Sequence, residues 1–245
     1  MLKRFCLIAG LATVLACNST RTLSTATALN QLSKAEAKDG WQLLFDGSSK
    51  KGWHIFNNRS DGSAWKTDSG AVYLDPAAKG PKGAGGGDLV TDEAFSNFHL
   101  KLEWKLAPGG NSGIMFLSQE GEQYGASYLT GPEMQIIDND AHADAKHEKH
   151  RAGDLYDIIA AVPQNVRPIG QWNEVEILYN NGQLRLFQNG ANVVSTVIGD
   201  DNWQALVNNS KFKTWKDFAR FSSGKIALQD HGDKVWFRNI RIKKL

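Results

Sequence analysis

Cysteine is nearly absent from this chain: its two copies, Cys6 and Cys17, both fall in the first 17 residues. No disulfide framework and no cysteine-ligated metal site is therefore available further along. An excess of charge is missing too. Lys plus Arg is 28 and Asp plus Glu is 26; without Lys3 and Arg4, which belong to an export signal described below, the balance is 26 against 26. A near-neutral protein has no bulk attraction for nucleic acid or an anionic membrane surface, so neither is an expected partner. The apolar run from Phe5 to Ala16 is too short to cross a bilayer comfortably. What is present is a globular composition, with 41% hydrophobic, 22% charged and 10% aromatic residues in 245. That excludes global disorder and collagen-like repeats. The length suits one domain of about 200 residues with its own core.

The first 17 residues read as an address. Lys3 and Arg4 precede the apolar run, as in a secretory signal, and the run ends at Val14-Leu15-Ala16-Cys17. That tetrad resembles a bacterial lipobox, in which the cysteine is lipidated and becomes the new N-terminus. Ordinary secretion with later cleavage is the alternative, and both export the protein. Asn18, not an acidic residue, follows Cys17, which favours a periplasm-facing outer-membrane lipoprotein with membrane contact only through the lipid. Residues 18–39 are rich in Ser, Thr, Ala and Lys without apolar periodicity. They are expected to form a flexible tether, with a helical turn at Ala35–Asp39, ahead of a folded domain over 40–245.

From Gly40 onward, apolar residues alternate in short runs separated by Gly, Asn, Asp and Pro. Leu100, Leu102, Trp104 and Leu106 alternate with Lys101, Glu103 and Lys105; Val175, Ile177 and Tyr179 alternate with Glu174 and Glu176. The turn Asn189-Gly190 predicts a hairpin of Gln183–Gln188 with Asn192–Val197. Ile226, Leu228, Val235, Phe237, Ile240 and Ile242 continue the pattern, and Trp203–Phe221 is the best helix candidate. Many two-faced strands with turn signals predict an all-β sandwich. The Gly-rich stretch Gly80–Gly87 lacks the Lys-Ser/Thr ending of a phosphate loop, so nucleotide binding is rejected. The insertion Asp138–Ala152 is long and polar and carries three of the six histidines, as functional loops often do.

Several segments, taken in order, resemble one family. They are Trp41–Gly47, Gly109–Ile114, Pro132–Asn139, His150–Asp157, Gly170–Asn173, Leu228–Gly232 and Val235–Ile242. Together they resemble the 3-keto-disaccharide hydrolases, formerly a domain of unknown function, over about residues 40–245. The resemblance implies a concanavalin A-like jelly-roll sandwich of two antiparallel sheets. It also implies cleavage of glycosides whose sugar has been oxidised to a ketone at C3.

Within those segments, Glu133, Gln135 and Asp138 form the spacing E-x-Q-x-x-D. In a regular strand Glu133 and Gln135 share a face, and a β-bulge would bring Asp138 to the same side. The pattern is similar to the E-x-D-x-x-E strand of laminarinase-type glycosidases, but Gln135 and the final Asp prevent a direct transfer of roles. His231, at a strand end, suits general acid–base work. Glu133 and His231 are thus expected as base and acid, in either order, with Asp138 orienting them. Asn111, Gln135, His150, Arg151, Tyr156, Asp157 and Lys105 are candidate substrate contacts, and Arg238 a candidate partner for an acid beneath the cleft. His142, His147 and His150 do not share one helical face, so no cofactor is certain; Asp138 and His142 remain a possible pair of divalent-cation ligands. Trp53, Trp104, Trp172 and Trp236 sit in apolar strand contexts and are expected in the core. The keto route needs a base near C2, donors or a cation near the C3 oxygen, and an acid near the leaving oxygen. A conventional glycosidase on unoxidised β-glucan and a non-catalytic lectin-like module are the competing readings.

Overall fold

The computed structural model describes residues 28–58 and 62–245, so the signal segment and Cys17 lie outside the described residues. Along the chain the strands are β1 (Trp41–Leu43), β2 (Trp53–Ile55), β3 (Trp65–Asp68), β4 (Ala71–Leu74), β5 (Leu89–Thr91) and β6 (Phe98–Leu106). They continue with β7 (Asn111–Ser118), β8 (Glu133–Ile137), β9 (Asn173–Asn180), β10 (Gln183–Gln188), β11 (Ala191–Val197), β12 (Lys225–Leu228) and β13 (Val235–Lys244). One sheet has the order β11-β10-β9-β6-β13-β4-β3, with β1 also on β13; the other runs β2-β5-β12-β7-β8. All pairings are antiparallel, and the two sheets form a jelly-roll sandwich.

Period-two alternation places the core. Leu100, Leu102, Trp104 and Leu106 of β6 are buried together with Ile114 and Phe116 of β7 and Met134 and Ile136 of β8. In β13 the inward residues Phe237 and Ile240 are three apart, which strict alternation forbids. A register shift between Arg238 and Arg241 absorbs the extra residue. Asn239 sits in this bulge at φ +52, where it exchanges hydrogen bonds with Asn30 at 2.7 and 2.8 Å.

That exchange changes the domain boundary. The expected tether is docked at Asn30, which is 6% exposed and whose amide also donates to Gly70 O. A short helix, α1 (Lys34–Lys38), follows under a Ser33/Glu36 capping box, and Glu36 pairs with Arg241 at 3.0 Å. Short polar side chains, not an apolar stripe, do the docking, which is why hydrophobic periodicity missed it. The expected helix over 203–221 is shorter: α2 spans Asp201–Asn208, capped by Asp200, and Ser210 starts a separate 3-10 turn, Lys211–Thr214. Trp172 and Trp236 are not core residues. They lie half-buried on the outer face of the larger sheet under the cations of Lys105 and Arg238.

Every residue of β7 and β8 is buried, on both faces. The inner face packs on the other sheet. The outer face is roofed by the connections between β7 and β8, β8 and β9, and β11 and β12, and a cavity opens beneath this roof.

Candidate active site

The cavity has a volume of about 740 Å³. Its floor comes from β7, β8 and the end of β12, which contribute Asn111, Glu133, Gln135, Gln229 and His231. Tyr156, Lys211, Phe212, Trp215 and Tyr128 stand around it. The size and the mix of aromatic walls with a few polar groups are those of a small-ligand site.

Glu133 and Gln135 share the outward face as the strand period requires. Opposite them on β7 stand Met115 and Gly113. The glycine decides where Glu133 can go: a Cβ on Gly113 would lie 1.9 Å from Glu133 Oε1 and 2.6 Å from its Cδ. The carboxyl group therefore lies across β7, over Gly113, in space that any other residue would fill. From there it is two strand positions, roughly 7 Å, from Asn111. Among the described residues nothing hydrogen-bonds this carboxyl group. Burial raises its pKa to about 8, with the Asp88 and Asp144 carboxylates adding to the rise and Lys211 opposing it. A buried, unpartnered carboxyl beside a cavity costs stability, and such groups cluster at functional sites. Gln135 accepts from Ile136 N–H through its amide oxygen at 2.9 Å, which leaves its NH2 group to offer a ligand.

Lys211 was not anticipated. Its ammonium sits 4.0 Å from the centre of the Tyr156 ring. Partial burial lowers its pKa, while Glu133, Asp157 and Asp144 pull the other way. A brace holds it. Asp157 accepts from Lys211 N–H at 2.6 Å and meets His150 Nε2 at 3.0 Å, while His150 Nδ1 meets Asp144 at 2.8 Å. Tyr156 donates its hydroxyl to Asp144 at 3.0 Å and packs against His150, the rings tilted at 38° with centres 4.3 Å apart. His150 and Asp157 thus stand behind the cavity wall and position Tyr156 and Lys211. The sequence gives no reason to choose Lys211 over Lys213 and Lys216; the carboxylate of Asp157, distant in sequence, makes the choice.

At the other end, Gln229 continues the pairing of β12, donating its N–H to Gly113 O and accepting from Ser112 Oγ, both at 2.9 Å. His231 then stands exposed at the mouth, its Nε2 3.5 Å from Asn111 Nδ2. The side-chain oxygens of Asn111 and Gln229 are buried without a partner among the described residues. Two more carboxylates reach the cavity, but both are committed. Asp88 accepts from Ser127 Oγ and from Asp230 N–H, and burial raises its pKa. Asp230 is held by Lys79, Gly87 N–H and Gly232 N–H. The Gly-rich stretch supplies this cradle: a Cβ on Gly86 would fall 2.6 Å from Asp230 Oδ2.

Other candidates fall elsewhere. No bulge follows Gln135, since β8 pairs with β7 in unbroken register. Asp138 lies just past the strand, where it accepts from Gly109, Asp140 and Ala141 N–H. Burial acts to raise its pKa, but these three bonds leave it below the ordinary carboxylate value. Asp138 organises the turn, and it is His231 and Asp233 that stand beside His142. Arg151 contributes a backbone N–H to Asp154 and does not line the cavity. Lys105 lies over Trp172 and Trp236 on the outer face of the larger sheet, and Arg238 pairs there with Glu103 at 2.7 Å, not beneath the cleft.

Comparison with known proteins decides the family. The profile of the 3-keto-alpha-glucoside-1,2-lyase-like domain matches residues 40–243. The chain belongs to this family. It is 37% identical over 229 aligned residues, covering 84% of this chain and 79% of the other, to a 3-keto-disaccharide hydrolase of Bacteroides thetaiotaomicron. The crystal structure of a proposed glycosyl hydrolase of Parabacteroides distasonis superposes with a TM-score of 0.81 at 32% identity, covering 89% of this chain and 99% of the other. A second such protein of that organism shares the fold, with a TM-score of 0.64 at 23% identity and 84% and 99% coverage. Membership places the chain among the glycoside-cleaving hydrolases.

Proposed function

We propose that this enzyme cleaves the glycosidic bond of 3-keto glycosides, disaccharides among them, by elimination across C1 and C2 followed by hydration. The observation that carries the reading is the count of usable carboxylates among the described residues lining the cavity: Asp88 and Asp230 are tied down, and Glu133 alone is uncommitted. Cleavage through an oxocarbenium ion ordinarily needs two carboxyl groups flanking the bond. A ketone at C3 removes that need, because it acidifies the C2 proton and makes one good base sufficient.

Glu133, as carboxylate, takes the C2 proton, and the electron pair moves into the enolate, placing charge on the C3 oxygen. That oxygen faces the corner formed by His231 and Asn111. The enolate then collapses, the C1–O bond breaks, and protonated Glu133 returns its proton to the departing oxygen. Water adds back, hydroxyl to C1 and hydrogen to C2, so the sum is hydrolysis. Lys211 counters the charge on Glu133 and keeps an ionised fraction available. Tyr128 and Trp215, with ring centres 6.0 Å apart, offer apolar faces to a sugar ring, and the NH2 of Gln135 and the free oxygen of Gln229 suit its hydroxyls. Envelope localisation through a lipid on Cys17 is part of the same proposal.

Incubation in D2O with 3-keto-glucosides beside their unoxidised parents tests it. Release from the oxidised compounds alone, with deuterium at C2 of the product, is expected. Comparable cleavage of laminarin or cellobiose would instead make the protein a conventional glycosidase. Retention of protium at C2 would rule out the elimination route. Sugar binding without any turnover would leave a lectin.

A further inference from the structure

At the end of the cavity away from Glu133, His231 of the lining meets a second imidazole and a carboxylate that stand just outside the lining. His142 from the loop after β8, with His231 and Asp233 from the turn between β12 and β13, each offer a ligand atom within 4.8 Å of the others. Ligands bound to one first-row ion at about 2.0–2.2 Å lie about 3–4 Å from one another, a spacing that falls inside this limit. The two imidazole rings meet at 81° with centres 6.0 Å apart, so they are neither stacked nor parallel. Asp233 accepts from Asn111 N–H at 3.0 Å and forms no salt bridge among the described residues.

A second observation points the same way. Asn111 is 3% exposed, and its Oδ1 is buried without a hydrogen-bond partner among the described residues, while its Nδ2 lies 3.5 Å from His231 Nε2. Leaving such an acceptor unpaired is costly, and a half-turn of the amide would exchange Nδ2 for Oδ1 and present it to a cation in this corner. The other cluster of suitable residues, Asp144, His147 and His150, is already spent. Both nitrogens of His150 contact carboxylates, and Asp144 also holds Tyr156.

We propose that His142, His231 and Asp233 bind a divalent first-row transition cation at the cavity mouth, with the Asn111 amide beside them and a coordination position open to the cavity. Two imidazoles with one carboxylate suit Mn, Fe, Co or Zn; calcium and magnesium prefer all-oxygen sets. Ligation through His142 Nδ1 exchanges its 3.2 Å contact with Asp144 N–H for a metal bond. The site itself stands on these side chains. Its use rests on the function proposed above: the open position takes the C3 ketone oxygen and stabilises the enolate as a Lewis acid.

The test is titration of the chelator-treated mature chain with Co2+, followed by calorimetry and visible absorption. One ion per chain with ligand-field bands is expected. Binding should weaken by about tenfold or more in H142A and in D233N, and stay unchanged in H147A. Thermal melts of each variant without metal confirm that it is folded. Absence of stoichiometric binding, or loss in H147A but not in H142A, overturns the site. The two proposals fail separately. Co2+ binding without turnover of 3-keto-glucosides leaves the cation site standing and removes its substrate; turnover indifferent to chelator, with no Co2+ bound, does the reverse.

Discussion

Replacing Glu133 by glutamine is expected to abolish turnover and, at the same time, to make the protein more stable in mildly alkaline solution. Both effects come from one cause. The carboxyl group is buried with no hydrogen-bond partner among the described residues, and its pKa is raised to about 8 from an ordinary 4.5. In the unfolded chain it ionises near 4.5; in the folded protein it stays protonated until about pH 8. The folded state therefore holds the extra proton, and stability falls as pH rises from the lower value through the upper one. At pH 8.5 the cost is on the order of 4–5 kcal/mol. E133Q removes the titration, so its melting temperature should exceed that of the wild type by at least roughly 5 °C at pH 8.5, with the difference shrinking toward zero near pH 4. Turnover should drop by about 10²–10⁴-fold, the usual worth of a positioned base. In the wild type, kcat/KM should climb with pH through about 8 as Glu133 ionises. At higher pH it should fall as Lys211, whose pKa is depressed, loses its proton. A variant that is inactive but no more stable at pH 8.5 would mean that Glu133 carries no burial penalty. A variant that kept its turnover would place the base elsewhere.

How much of this could be read from the residues depends on how local each arrangement is. The sandwich was legible because alternation is local: Leu100 to Leu106 and Val175 to Tyr179 announce an inner and an outer face without reference to anything distant. The face shared by Glu133 and Gln135 follows from the same period. Three things were not local. The bulge in β13 that receives Asn30 joins residues 209 positions apart. Lys211 reaches the cavity because Asp157, 54 residues earlier, accepts from its backbone N–H. Asp138 kept its proximity in sequence to Glu133 but not its face, because no bulge intervenes and three backbone N–H groups claim it first. His231 and Asn111 were named separately as candidates. That they meet depends on β12 pairing with β7, a register no spacing rule supplies.

The same logic makes Gly113 the most revealing position in the floor of the cavity. Its backbone is ordinary strand, so alanine meets no conformational barrier there, and in a strand the added side chain would normally be neutral or helpful. What alanine meets first is Glu133: the three atoms nearest to the added methyl would be its Oε1, Cδ and Cγ at 1.9, 2.6 and 2.9 Å. G113A should therefore cost about 1–3 kcal/mol by overpacking. It should also push the carboxyl group off the C2 proton, lowering turnover by about 10²-fold, as ångström-scale misplacement does. The decisive measurement is a double-mutant cycle. In an E133A background the three nearest atoms are gone, so G113A should cost much less there, giving a coupling energy of about 1–3 kcal/mol. If G113A destabilises both backgrounds equally, or leaves turnover intact, the carboxyl group does not lie across β7. The single-base chemistry would then lose its geometric footing, because only from that place does Glu133 come within one sugar ring of the His231 corner.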